Sequence, residues 1–412
     1  MNKKENKNLD VNKISNILTL RYDPKGEPGR KPLELHDFQP NEISNLELKI
    51  KEVIKKKLLQ DQEKLEFKKL SVSLSAGIDS GLTLAMIREY LPDVKISCIG
   101  LGFSYEDDEV PRAREIARIY DCDFTEIIKN NILNELPKLI GVVKEPRWNL
   151  YNYYVFESAK KFSDICYTGD GGDELFGGYT FRLSKFLRLL PSNSTWKERV
   201  KIYLQCHERD WVPDQDKIFG SRMCFSWDKI YEMLKQFFDN NLSPLDQVFL
   251  ADFNGKLLQE WIPADKAYER YFNSNILSIF LSDECVKLAT HIPWQKKYDK
   301  TTGLGKLSLR SILLKYKGFE NKLLNKKGFG TDLTNLWNKN TKEIVKSYVN
   351  LQSEIIKDNI ISAEWLKKVE KKIRDPNSEL ELRYINKMFL LLALEVWYRL
   401  FISKSMKSDQ RI

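Results

Sequence analysis

Between residues 70 and 175 short apolar runs alternate with stretches of helical spacing, and this alternation restricts the chain to an α/β fold, a parallel sheet with helices on both faces. The runs predict strands over 72–74, 95–101, 124–128 and 165–167, with helices over 82–90, 109–120, 131–142 and 153–162. In open sheets of this kind ligands sit beyond the carboxyl ends of the strands, so the chemistry is sought in the segments that follow them.

Two such segments carry it. Residues 71–80 read Ser-Val-Ser-Leu-Ser-Ala-Gly-Ile-Asp-Ser, a strand running into a turn of small residues and then a helix. Ser75, Ala76 and Gly77 leave the backbone open, so their N–H groups can converge on phosphate oxygens, aided by the positive end of the following helix. Ser80 adds a second hydroxyl, and Asp79 can hold Mg²⁺ against the same oxygens. A Walker A loop is excluded, because the G-x-x-x-x-G-K-[ST] spacing and its lysine are missing. After the fourth strand, residues 168–179 read Thr-Gly-Asp-Gly-Gly-Asp-Glu-Leu-Phe-Gly-Gly-Tyr, where five glycines are interleaved with three carboxylates. That mixture has no packing rationale. It suits close backbone approach to a polyphosphate and carboxylate coordination of Mg²⁺.

The first segment resembles the S-G-G-x-D-S pyrophosphate loop of enzymes that cleave ATP between its α- and β-phosphates, with Ala76 in place of one glycine. The second resembles the G-[DE]-G-x-D-E-x-F-G-G-Y signature of the synthetase domain of asparagine synthetases and their β-lactam-forming and lasso-peptide-cyclising relatives. Further matches run in the same order along residues 45–402: Glu109, Ala113 and Ala117 on one helix, Glu145-Pro146 before the acidic loop, Lys306 in a K-x-x-L-R element, and Lys326-Lys327-Gly328-Phe329 in a K-x-G-F element. The resemblance implies an adenine nucleotide alpha hydrolase-like core followed by a largely helical C-terminal part. By position, it implies adenine held by backbone at Ser73 and Ile99, and phosphates contacted at Thr168 and Gly169. Asp79 and Asp173 would be the Mg²⁺ ligands, Asp170 the acid that assists the incoming amine, and Lys306 the cation that neutralises pyrophosphate and acyl-adenylate. Growing charge on a leaving group is met without reorganisation by a lysine already in place.

The remainder of the sequence bounds this reading. Residues 1–42 are polar and broken by Pro24, Gly26, Pro28, Gly29 and Pro32, which predicts an extended arm. Residues 42–65 predict an amphipathic helix, so the expected organisation is an arm over 1–42, an ATP-pyrophosphatase core over 43–180 and a mainly helical part over 181–412. The net charge of +9 tolerates anionic ligands, but its lysines are spread rather than patched, which argues against nucleic acid. Six cysteines without C-x-x-C spacing and three distant histidines exclude a zinc site or a disulfide framework. No run reaches the roughly 18 apolar residues of a membrane span, and a cytoplasmic protein is expected.

Two departures from the family pattern matter. Position 2 is Asn2, and about 68 residues precede the first strand, so the class II glutaminase domain with its N-terminal cysteine nucleophile is expected to be absent. Ammonia would then come free or from a separate glutaminase subunit. The family's E-x-R-x-P-F-L-D stretch is degraded over 273–283, keeping Phe280 and Leu281 but neither the Glu nor the Arg, which argues against assuming aspartate as the acceptor. The expected activity is ATP-dependent amide formation between a small-molecule carboxylate and ammonia or another amine, through an acyl-adenylate. Two competing readings are a tRNA-modifying ATP pyrophosphatase and a non-catalytic relative of the enzyme.

Overall fold

The computed structural model describes residues 9–104, 108–320, 333–373 and 378–412; the K-x-G-F element at Lys326–Phe329 lies outside them. Residues 11–20, expected within an extended arm, are helical instead. Asp10 caps helix α1 (Val11–Leu20) by accepting from the Asn12 and Lys13 N–H groups, both at 3.0 Å, and Ile14, Ile17 and Leu18 are buried at helical spacing. The proline and glycine residues that suggested an arm begin only at Pro24. They shape a connection that lies along other elements, with the Leu33 N–H donating to Asn254 Oδ1 at 2.8 Å and the Asn41 N–H to the His291 carbonyl at 3.0 Å.

Helix α2 (Leu46–Leu65) buries Ile50, Ile54, Leu58 and Asp61 along one stripe and turns its lysines outward. The alternating region then yields β1 (Lys69–Ser73), α3 (Ile78–Tyr90), β2 (Lys95–Gly102), α4 (Glu109–Ile119), β3 (Asp123–Ile128), α5 (Leu136–Val143), α6 (Asn152–Phe162), β4 (Ile165–Thr168) and α7 (Gly172–Phe176). Each strand sends alternate residues to opposite faces. Leu70, Val72, Ile96, Cys98 and Tyr167 join α2, α3 and α4 in one apolar core, while Ile99, Leu101 and Cys166 join α5 and α6 in the other.

The sheet is parallel in the order β3-β2-β1-β4-β5, so β1 and β4, which carry the two glycine-bearing loops, are neighbours at its centre. Its fifth strand was not expected from the sequence. After α8 (Thr180–Leu189), α9 (Trp196–Cys206), α10 (Trp227–Phe238), α11 (Pro244–Asp252), a π-helical stretch Phe253–Trp261 and α12 (Ile262–Phe272), the residues of the degraded motif form β5 (Asn275–Ser278). It pairs with β4 from Ile165↔Asn275 to Thr168↔Ser278. Four residues in polar surroundings give no periodic signal; pairing along a buried neighbour makes them a strand.

Helix α13 (Asp283–His291), the hairpin of β6 (Tyr298–Asp299) and β7 (Leu304–Gly305), and α14 (Leu307–Leu313) follow. Short helices lead to the last helix, Glu379–Phe401, which is buried along most of its length. Tyr398 lies in the core, and Trp397, only partly buried, donates its indole N–H to the Lys144 carbonyl at 3.0 Å.

Candidate active site

Strand β1 delivers the first loop and β2 frames it. Ser73 pairs with Ile99, and the Leu74 N–H donates to the Ile99 carbonyl at 2.9 Å, so the two positions matched to adenine lie side by side. The loop is ordered by its own hydroxyls. The Ser75 N–H donates to Ser80 Oγ at 3.1 Å, the Gly77 N–H to Ser75 Oγ at 3.1 Å, and Ser80 Oγ to the Ser75 carbonyl at 3.0 Å. Two of the three amides aimed at phosphate by the sequence therefore bond within the loop, and a phosphate would exchange with those hydroxyls. Gly77 precedes α3, and Asp79 stands in its first turn, where a negative charge meets the positive end of the helix.

The second loop closes against the first through missing side chains. A Cβ on Gly169 would stand 2.7 Å from Asp79 Cβ, and one on Gly172 would overlap the Asp79 carboxylate. One on Gly178 would overlap Asp173 Oδ1 and Lys306 Cε. Gly171 turns the chain with φ +88°, a left-handed conformation that glycine adopts at no steric cost. These residues are small because the acidic groups of two loops occupy the space beside them.

Lys306 joins the two loops. It follows β7 in a left-handed conformation, φ 54°, with its N–H donating to the Phe176 carbonyl at 3.1 Å. A non-glycine residue held in that region stores strain, as functional positions often do. Its Nζ pairs with Asp173 Oδ1 at 2.5 Å and with Asp79 Oδ2. Burial alone would lower its pKa, but the Asp173 and Asp79 charges outweigh it and hold the ammonium form well above its ordinary range. The carboxylates matched to Mg²⁺ thus converge on one cation from the first turns of two helices that follow separate strands. Asp79 and Asp173 fit Mg²⁺, which takes one or two carboxylates and completes its shell with substrate phosphates and water.

Asp170 lies deeper. It accepts from Thr168 Oγ1 at 2.5 Å, and Ser278 Oγ of β5 donates to its carbonyl at 2.7 Å. Asp265 of α12 faces it in the interior. Burial raises Asp170 above the ordinary carboxylate range against the bonds to Thr168 and Asp265, with the Asp173 charge adding to the rise, while burial and then the Asp170 charge raise Asp265. Glu174 accepts from Tyr179 Oη at 2.6 Å, and burial together with the Asp173 charge pushes it up to about 7.

The structure therefore brings Asp79, Gly169, Asp173 and Lys306 together, places Ser73 beside Ile99 and sets Thr168 against Asp170. Sequence reasoning missed Asp265 and Ser278. Ser278 belongs to the unread strand, and Asp265 is one acid among many on a helix until the fold faces it with Asp170.

An asparagine synthase family model matches residues 62–399, most of the chain, and the chain belongs to that family. It is 29% identical over 196 residues to asparagine synthetase 1 (glutamine-hydrolyzing) of Bacillus subtilis, covering 42% of this chain and 30% of that protein. A Methanocaldococcus jannaschii protein assigned the same glutamine-hydrolyzing enzyme by name is 30% identical over 170 residues, covering 38% of this chain and 32% of its own length. The chain thus matches about a third of each of these relatives. Among the described residues no helix is long and apolar enough to cross a membrane.

Proposed function

We propose that this chain joins a carboxylate to ammonia or another amine at the expense of ATP, releasing AMP and pyrophosphate. The observation that carries the reading is the convergence of Asp79 and Asp173 on Lys306 across two strand ends. Membership of the asparagine synthase family supports it.

In this reading the nucleotide lies over the loop from Ser75 to Ser80 and the segment from Thr168 to Asp173, with its adenine edge along Ser73 and Ile99. Mg²⁺ held by Asp79 and Asp173 would supply charge neutralisation on the phosphates. An oxygen of the acceptor carboxylate attacks the α-phosphorus, the bond to the β-phosphate oxygen breaks, and pyrophosphate leaves. Lys306, positive throughout because two carboxylates hold its proton, meets the charge that grows on that leaving group. The amine then attacks the acyl carbon, AMP departs, and the nitrogen gives up a proton. Asp170, whose raised pKa makes its carboxylate a better base than an exposed one, stands as its acceptor. Ammonia arrives free or from a separate glutaminase subunit.

The test is incubation with ATP, Mg²⁺, a carboxylate panel and ammonium, following AMP and pyrophosphate. Stoichiometric AMP and pyrophosphate with amide product are expected; ADP and orthophosphate would rule the mechanism out.

A further inference from the structure

The cysteines show no pairing in the sequence, yet the fold brings two of them together at the edge of the sheet. Cys98 lies within β2, fully buried, and pairs in register with Phe124 of β3. Cys122, in the turn that leads into β3, packs against the same apolar core. The two thiols share a hydrogen bond. Only one of them is reachable, because Cys122 is partly open to solvent.

Arg88, near the end of α3, singles out Cys122. Its Nε donates to the Tyr120 carbonyl at 3.1 Å, its Nη1 to the Pro92 and Val94 carbonyls at 3.0 and 3.2 Å, and its Nη2 to the Asp121 carbonyl at 3.2 Å and to Cys122 Sγ at 3.4 Å. All five N–H groups are thus engaged, four by carbonyls and one by sulfur. Of these acceptors only the sulfur can take a negative charge, so the guanidinium is placed to stabilise a thiolate. As a thiol, Cys122 donates to the Tyr120 carbonyl at 3.2 Å; ionising it forfeits that bond and strengthens the one from Arg88. The Cys98 bond, together with the bond and charge of Arg88, outweighs burial and lowers the Cys122 pKa to about 7, whereas burial raises that of Cys98, which keeps its proton. Cys166, Cys206 and Cys285 are buried, and burial raises the pKa of each. A partly exposed thiolate beside a cation and a second thiol is the setting in which cysteines react with peroxides.

We propose that Cys122 and Cys98 form a hydroperoxide-reactive thiol pair, with Cys122 the attacking and Cys98 the resolving sulfur. The Cys122 thiolate attacks one oxygen of hydrogen peroxide, an S–O bond forms, the O–O bond breaks and hydroxide leaves, so the sulfur is oxidised to a sulfenic acid and the peroxide is reduced. The Cys98 sulfur then attacks the Cys122 sulfur, the S–O bond breaks, and the Cys98 proton departs with the hydroxyl as water. The resulting disulfide ties β2 to the turn before β3, one residue from Ile99. This chemistry asks nothing of the amide-forming reading.

The reduced full chain is treated with hydrogen peroxide at neutral pH, remaining thiols are blocked, and its peptides are mapped by mass spectrometry. A Cys98–Cys122 disulfide that dithiothreitol reverses is expected, and Cys122 should be consumed about fivefold or more faster than the more exposed Cys224. In Cys98→Ala the same treatment should stop at a sulfenic acid on Cys122, trapped by dimedone. Arg88→Gln should slow oxidation of Cys122 about threefold or more and leave Cys224 unaffected. Circular dichroism checks that each variant folds, and the wild-type map alone decides the pairing should either fail to. Oxidation of Cys224 ahead of Cys122, a Cys122 sulfenic acid that does not go on to the disulfide in the wild type, or bridges joining other cysteines would each overturn the thiol pair.

Discussion

At the scale of single residues the site is an electrostatic balance among Asp79, Asp173 and Lys306. Lysine at position 306 compensates two carboxylates that would otherwise repel one another across the loops. Lys306→Met should lower the rate of pyrophosphate release about 10²–10³-fold, the size of loss seen when one preorganised transition-state partner is removed. The same change should lower ligand-free stability by about 1–3 kcal/mol, since it strands two acids near each other. Mg²⁺ should recover stability in this variant more than in the wild type, and thermal melts with and without the metal check it. Asp79→Asn and Asp173→Asn should abolish turnover and remove the Mg²⁺ dependence of ATP binding, measured by fluorescence titration of a nucleotide analogue. Asp79 and Asp173 stood out in the sequence because glycine-spaced acids after a strand have few other uses, and Lys306 only through the family resemblance. Asp265 was not, because a buried acid is recognised only by what faces it.

At the scale of elements, the glycines position the loops by what they lack. Gly172→Ala must displace the Asp79 carboxylate and Gly178→Ala must displace Asp173 and Lys306, so each should weaken Mg·ATP binding at least tenfold. Gly220→Ala, whose Cβ would meet the Asn359 backbone beside the Phe219–Ile361 bridge, serves as a control that should disturb packing more than nucleotide affinity. A pair of titrations with melting curves separates the two effects. The same scale shows where sequence reading worked. Strands β1, β2 and β4 were legible because both faces of each are covered, giving apolar runs bounded by turns, whereas the edge strand β3 offers only the half-buried Phe124, Ile127 and Ile128. β5 was hidden: its sequence, Asn-Ile-Leu-Ser, becomes a strand only because β4 offers it an edge, and a family comparison made it look like a damaged motif. Helix α1 was overlooked because the breakers downstream of it coloured the whole N-terminal segment.

At the scale of the whole molecule, one buried lysine ties distant parts of the chain. Lys387, fully buried on the last helix, donates to the Leu18 carbonyl at the end of α1 and to the Asp210 carbonyl at 2.9 Å, while Gln215 Nε2 reaches the same Leu18 carbonyl at 3.0 Å. Nothing in the sequence connects positions 18, 210 and 387; the fold alone does. Burial, only partly offset by the Asp210 charge, pushes the Lys387 pKa down from 10.5 to about 7. Below that value both the folded and the unfolded chain carry the proton, and the folded state bears the full cost of a buried ammonium. Between about 7 and 10.5 the unfolded lysine keeps a proton that the folded one has released, so unfolding takes up a proton and stability rises with pH. Lys297, pushed down to about 8 by burial, acts in the same direction. Urea denaturation of the wild type between pH 7 and 9.5 should therefore gain stability relative to Lys387→Met, at a slope of at most about 1.4 kcal/mol per pH unit. Parallel curves for the two proteins would mean that the ammonium is already solvated in the folded state, and that its bonds to the two carbonyls, rather than its titration, hold α1 against the last helix.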